Sequence, residues 1–234
     1  MAVKILVDSA SDIDAEEAQE LGIELLPMEV EIQGKKYLDG VEIKPKQFFE
    51  KLIESTELPR TSQINPYRFE EKFEELTGQG YDVVAITISS KLSGTYSGAA
   101  NVAKKFAGKV FAVDSLNASI GEKILCYYAL RLLEQGASAQ EIASELNKVR
   151  GRINVLARLD TLQYLKKGGR ISAVTAFAGQ MLSIKPVIGV IGGEVKMVGK
   201  AIGSKKGNNL LNSLVEKKGV DFDMPFVVGY GGLD

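Results

Sequence analysis

Between residues 3 and 149, short apolar runs alternate with longer helical patterns, and few folds accept that order. A strand followed by a helix and another strand returns to its sheet in parallel, with the helix covering one face. The clearest such unit is residues 82–100. Residues 83–88 are rich in β-branched side chains, as a buried strand requires, hydroxyls take over at Ser89, and Ser93-Gly94-Thr95 leads into a small-residue helix. Amides at the start of such a helix, with hydroxyls beside them, can receive an anion, because first-turn N–H groups have no intrahelical acceptor. Phosphate and carboxylate are both open. So is the plainer reading, in which Ser93 or Thr95 only caps the helix.

The chain of 234 residues, 45% apolar and 25% charged, can bury one large core or two moderate ones, and two small domains are expected. Twenty-nine basic against 30 acidic residues give a net charge of −1. No basic block is interleaved with aromatics, so nucleic-acid binding is not expected. No apolar run approaches the ~18 residues that span a bilayer, and Met1-Ala2-Val3-Lys4 leads straight into a strand. The expectation is a soluble, cytoplasmic protein without an integral membrane segment. Cys126, the single cysteine, lies in an apolar run and reads as core. Histidine is absent. A Cys/His zinc cluster is therefore impossible, no metal or cofactor is expected, and Ser93 has no imidazole to take its proton. A Ser–Lys pairing with Lys91 is the remaining arrangement of that kind. Neither glycine-rich nucleotide fingerprint occurs.

Residues 3–7 predict a first strand ending at Asp8-Ser9-Ala10-Ser11-Asp12, whose acids and hydroxyls can cap the helix Ala15–Leu21 before Gly22. Residues 23–26 and Glu29–Ile32 read as strands, the second with one wet face, and Gln33-Gly34-Lys35 turns the chain into Tyr37-Leu38. Pro45 opens a helix with Phe48, Phe49, Leu52 and Ile53 on one side. Residues 58–66 hold two prolines and a cluster of hydrogen-bonding side chains between two helices, and predict a loop of the kind that carries ligand contacts. Helices follow over 67–76, 95–106, Ile120–Glu134 and 138–149, and a strand over 109–113 ends at Asp114-Ser115-Leu116-Asn117.

The predicted architecture is α/β. A first domain over 1–150 forms a mostly parallel sheet with helices on both faces and carries the Thr61-Ser62-Gln63 and Ser89–Tyr96 loops; a second α/β domain covers 151–234. Within the second, strands are expected at 154–159 and 226–228, helices at 161–165, 173–182 and 209–215, and a hairpin over 185–197. The turn Lys166-Lys167-Gly168-Gly169-Arg170-Ile171-Ser172 reads as a solvated cationic helix end or, at Arg170, as an inward guanidinium for a carboxylate or phosphate.

Six separated stretches agree on one further reading: Asp8-Ser9-Ala10-Ser11-Asp12, Thr61-Ser62-Gln63, Ser89-Ser90-Lys91-Leu92-Ser93-Gly94-Thr95-Tyr96, Asp114-Ser115, Gly168-Gly169-Arg170-Ile171-Ser172 and Ile184-Lys185-Pro186. On these the chain resembles the DegV family from residue 3 to about residue 196. The resemblance implies two α/β domains with a long-chain fatty acid, such as palmitate or oleate, held between them and no catalysis by the protein itself. In many Gram-positive bacteria, members are the binding subunit of a fatty acid kinase and present the carboxylate to a separate ATP-using catalytic subunit. The resemblance assigns Thr61 and Ser93 as hydroxyl donors to the carboxylate with Ser62 beside them, Gly94 as a point of close backbone approach, and Arg170 as a neighbour of the head group.

A carboxylate taken out of water needs several donors. Burying the tail at roughly 0.8 kcal/mol per methylene gives a gross ~11 kcal/mol for about fourteen methylenes, before the costs of association. A long apolar tunnel follows, with Phe177, Met181, Ile188 and Ile191 as candidates for its wall. The chain departs from the family pattern in having Gly229-Tyr230 where members usually carry a histidine, in lacking an arginine over 198–206, and in an expected shortening of the second domain at its C-terminal end. The reading from another class is a small hydrolase or transferase acting on an acyl or phosphoryl group at Ser93. Its base would be Asp8, Asp114, Glu122 or Lys91.

Overall fold

The structure is a computed structural model that describes residues 2–55, 57–171 and 183–232. In chain order its strands and helices are β1 (Ala2–Asp8), α1 (Ala15–Leu21), β2 (Glu24–Leu26), β3 (Glu29–Ile32), β4 (Lys35–Leu38), α2 (Pro45–Glu54), β5 (Arg60–Ser62), α3 (Pro66–Gly78), β6 (Tyr81–Thr87), α4 (Thr95–Ala103), β7 (Val110–Asp114), α5 (Ile120–Glu134) and α6 (Ala139–Val149). After them come β8 (Val155–Arg158), α7 (Gln163–Lys167), β9 (Ile184–Ile191), β10 (Glu194–Ile202) and α8 (Ser204–Lys218). The chain forms two compact units, Met1–Ile153 with Pro225–Asp234, and Asn154–Met224.

In the first unit a four-stranded sheet runs β2-β1-β6-β7, parallel throughout. Successive strand residues face opposite sides, and the two cores follow that alternation. Ile5, Val7, Val84, Ile86 and Val113 pack with Leu125, Cys126 and Ala129 of α5, with Ile142 and Leu146 of α6, and with Ala18 of α1. Leu6, Val83, Ala85 and Val110 pack on the other side with Phe69, Phe73 and Leu76 of α3 and with Ala99, Val102 and Ala103 of α4. Burial of a side chain such as Phe69 or Phe73 stabilises the fold by roughly 1.5–3 kcal/mol. This is the α/β sheet with helices on both faces that the alternation predicts, and Cys126 is core.

A smaller antiparallel sheet, β4-β3-β5, carries its own cluster of Val30, Ile32 and Ile43, with Tyr37 and Phe48 against it. Gln33 and Gly34, both with positive φ (52° and 72°), make the two-residue turn between β3 and β4. Here the structure corrects the sequence. Residues 58–66 read as a loop, yet Arg60–Ser62 is a strand that pairs with β3, Thr61 opposite Val30 and Ser62 opposite Glu29. Three residues between prolines carry no apolar periodicity; the edge that β3 offers opposite β4 makes the strand.

The second unit holds the antiparallel sheet β10-β9-β8 with α8 upon it. A Cβ on Gly207 of α8 would lie 3.0 Å from Arg158 Cδ and 3.1 Å from Lys185 Cβ, so that turn of the helix lies close on β8 and β9. Ile188 is buried in β9, whereas Ile191, beside the Gly192-Gly193 turn, is 46% exposed. The predicted helix over 173–182, with the tunnel candidates Phe177 and Met181, and the Ser172 position lie outside the described residues.

Residues 225–234 group with the first unit, where Gly229 approaches Ile120 and Gly231 approaches Phe49. The predicted strand at 226–228 does not form. Among the described residues no sheet includes this segment, and Val228 is 91% exposed, so the β-branched pattern there has no neighbouring strand to act on. No helix among the described residues is long and apolar enough to cross a membrane.

Candidate functional site

Strand order reverses between β1 and β6, because β2 lies beyond β1 on one side and β7 beyond β6 on the other. Loops leaving the carboxyl ends of two such strands diverge, and open α/β sheets bind ligands in the crevice they leave. Three loops meet here, after β1, β6 and β7.

Two buried carboxylates hold the middle loop. Asp8, the last residue of β1, accepts from the Ile88 and Ala10 amides, each at 2.9 Å. Asp114, the last residue of β7, accepts from the Ser90 amide at 3.1 Å and the Leu116 amide at 3.0 Å. The backbone leading to Ser93 is thus gripped from both neighbouring strands. Complete burial pushes the Asp8 carboxyl up to about 7, against the pull of its two amide donors and with some help from the charge of Asp39.

Glu122, in the first turn of α5, is fully buried, and neither of its carboxyl oxygens has a hydrogen-bond partner among the described residues. Burial first, and then the negative charges of Asp8, Asp12 and Asp114, push its carboxyl well above the usual carboxylate range and favour the neutral acid. Asp12, Leu116 and Ser119 all have positive φ (59°, 50° and 57°), a backbone region that costs non-glycine residues on the order of 1–3 kcal/mol each. The Ser119 hydroxyl donates to Asp12 Oδ2, and the Ser119 amide donates to the Ala10 carbonyl at 2.6 Å, which ties the loops after β1 and β7 together.

The turn after β6 closes with the Leu92 and Ser93 amides donating to the Ser89 carbonyl, at 2.9 and 3.1 Å. Gly94 is the cap of α4 and makes no side-chain capping bond. Ser93 Oγ accepts from the Thr95 amide at 3.2 Å and lies 2.9 Å from Thr95 Oγ1, which accepts from the Ile64 amide at 3.3 Å. The capping reading of Ser93 therefore holds in part. Its oxygen serves one first-turn amide, and the residue remains half-buried instead of enclosed.

Strand β5 delivers Thr61, Ser62 and Gln63 to this turn as exposed residues, followed by the buried Ile64. Thr61, Ser62, Ser93 and Gly94 thus belong to one unit, and the Ile64–Thr95 bond joins their two segments. Arg170 belongs to the other unit, where it is exposed and its guanidinium donates to the Gly168 carbonyl instead of pointing inward. The intervening Gly169, at φ 72°, folds the loop back far enough for that contact. Lys91 is exposed, and its amide donates to Ser89 Oγ. Among the described residues no group of three or more His, Cys, Asp or Glu side chains could hold a metal ion. Asp8 and Asp114 read from the sequence as a turn cap or a base; their signal as loop grips is an Asp-Ser pair ending a strand, but the amides they hold are too distant in sequence to be seen.

A wholly parallel sheet whose order reverses beside a hydroxyl-lined turn defines an α/β protein with a polar crevice at its switch point. The chain belongs to the DegV family, whose family model matches residues 2–232. It is 35% identical over 222 residues to a DegV domain-containing protein of Caldanaerobacter subterraneus subsp. tengcongensis, covering 94% of this chain and 79% of that one. Among solved structures, a DegV family protein from Thermus thermophilus described as binding fatty acid superposes with a TM-score of 0.84 at 34% identity, over 93% of this chain and 78% of that one. A stearic acid-binding protein from Eubacterium ventriosum gives a TM-score of 0.83 at 28% identity, over 92% and 76%.

Proposed function

We propose that this protein binds a long-chain fatty acid such as palmitate or oleate, holds its carboxylate with Thr61, Ser62, Ser93 and Gly94, and does not itself transform it. The observation that carries this reading is the 3.3 Å bond from the Ile64 amide to Thr95 Oγ1, which seats the exposed Thr61 and Ser62 segment against the Ser93 turn at the start of α4. Solved relatives described as fatty-acid-binding support the ligand class.

The chemistry of the turn suits an anion. Either hydroxyl of the Ser93–Thr95 pair can donate to the other; in the arrangement where Thr95 donates, both Ser93 lone pairs are occupied, one by that hydroxyl and one by the Thr95 amide. In that arrangement Ser93 keeps its proton for a ligand. A hydroxyl in that state complements a carboxylate, whereas a nucleophilic serine needs a base on the same proton. Among the described residues Ser93 Oγ hydrogen-bonds to Thr95, which is no base, so the hydrolase or transferase reading gains nothing here. The positive end of α4 adds to the attraction. Membership of the DegV family is what supports presentation of the carboxylate to a separate ATP-using catalytic subunit.

Competition of oleate against a fluorescent fatty acid tests the assignment. Ser93→Ala should weaken binding by about ten- to a hundredfold, since a hydrogen bond to a charged group contributes about 1.5–3 kcal/mol. Unchanged affinity would remove Ser93 from the head-group site. An acyl-ester turnover present in the native protein and lost in the variant would favour the enzyme.

A further inference from the structure

The space beside the Gly94 α-carbon is filled by the protein itself. A Cβ built on Gly94 would lie 2.9 Å from Gln63 Cδ and closer still to Gln63 Oε1. Carbon atoms in good contact stand ~3.5–4.0 Å apart, so the carboxamide rests on the glycine where any side chain would begin. The backbone on either side of Gln63 is anchored, which brings its side chain to Gly94. Ser62 pairs with Glu29 in the sheet, Ile64 is 1% exposed and donates to Thr95 Oγ1, and Pro66 Cγ lies 3.4 Å from the place a Cβ would take on Gly98. Residues 63–66 therefore cross the start of α4 over two glycines one helical turn apart, and Gln63 is the exposed end of that crossing.

We propose that Gln63 is a positioning residue for the head-group site: its carboxamide, seated on Gly94, holds the Thr61 and Ser62 hydroxyls in a fixed relation to that of Ser93. The lack of a side chain at 94 is then required by Gln63, while the Gly94 backbone remains part of the head-group site. The inference rests on the fatty-acid reading above.

A double-mutant cycle on oleate binding tests it, with Gln63→Ala, Gly94→Ala and the two combined, and with thermal unfolding of each protein recorded without ligand. The carboxamide is the free end of an exposed, flexible side chain, so the methyl of the Gly94→Ala variant displaces it without unfolding the turn, and the melting temperatures should agree within a few degrees. Each single change should weaken oleate binding about tenfold, and the double variant should bind no worse than Gln63→Ala, because the second change has nothing left to displace. Gln63→Met, which keeps the length of the side chain and its contact with Gly94, should recover most of the loss. Unchanged affinity in Gln63→Ala overturns the inference. So does a full additional loss in the double variant, which would mean that the methyl meets the ligand directly. A native protein that takes up no oleate fails before any substitution is made, and that result removes the fatty-acid reading along with this one.

Discussion

Asp8 and Glu122 are acids placed where ionisation is costly. Asp8 accepts hydrogen bonds from two amides and still sits at about 7, because complete burial outweighs them, while Glu122 accepts none among the described residues. In the unfolded chain both carboxyls ionise near pH ~4. The folded protein thus keeps protons that the unfolded chain has released, and stability falls as pH rises from the unfolded pKa to the raised folded one. For Asp8 that window runs from 3.8 to about 7, worth on the order of 4 kcal/mol. Glu122 adds to the fall over a window that opens near its ordinary value. Urea unfolding across pH ~5 to ~8 should show a decreasing free energy. Glu122→Gln, which keeps the shape and removes the ionisation, should flatten the curve. A profile that rises with pH would contradict the burial of both acids as protonated groups.

At the scale of elements, the site depends on how β5 and the segment after it lie on α4. The sequence shows the hydrogen-bonding cluster of residues 60–63, but three strand residues between prolines leave no period to read, and the partner that makes them a strand is the free edge of β3. The grips at the strand ends are similarly half-legible. Asp8 is visible as an acid ending a strand, while the amide that it holds, Ile88, lies eighty residues on. Gln63 is visible in the sequence only as the third member of the Thr61-Ser62-Gln63 stretch, and its crossing over Gly94 is what gives it a role. The second glycine of that crossing gives a prediction of its own. Gly98→Leu adds bulk against Pro66 and the Ile64 carbonyl, at 3.4 and 3.7 Å from its Cβ, and should destabilise the protein by about 1–3 kcal/mol in urea unfolding. A variant as stable as the native protein would show that residues 63–66 are not held on α4.

Over the whole molecule, the parallel sheet is legible because its strands are buried on both faces and its helices are long enough to show their period, as at Ile120–Glu134. The end of the chain is not. Phe226, Val227 and Val228 have the composition of a strand, but strand formation depends on a neighbouring edge, which no local pattern reports. Arg170 is legible as a charge on a glycine turn, while the direction of its side chain follows from the fold of that turn around Gly169. The central claim concerns the molecule as a carrier, and native mass spectrometry followed by denaturing extraction tests it most directly. The account predicts one long-chain fatty acid per chain, released intact on denaturation and with no covalent adduct. A protein that is empty as purified and takes up neither palmitate nor oleate would contradict it.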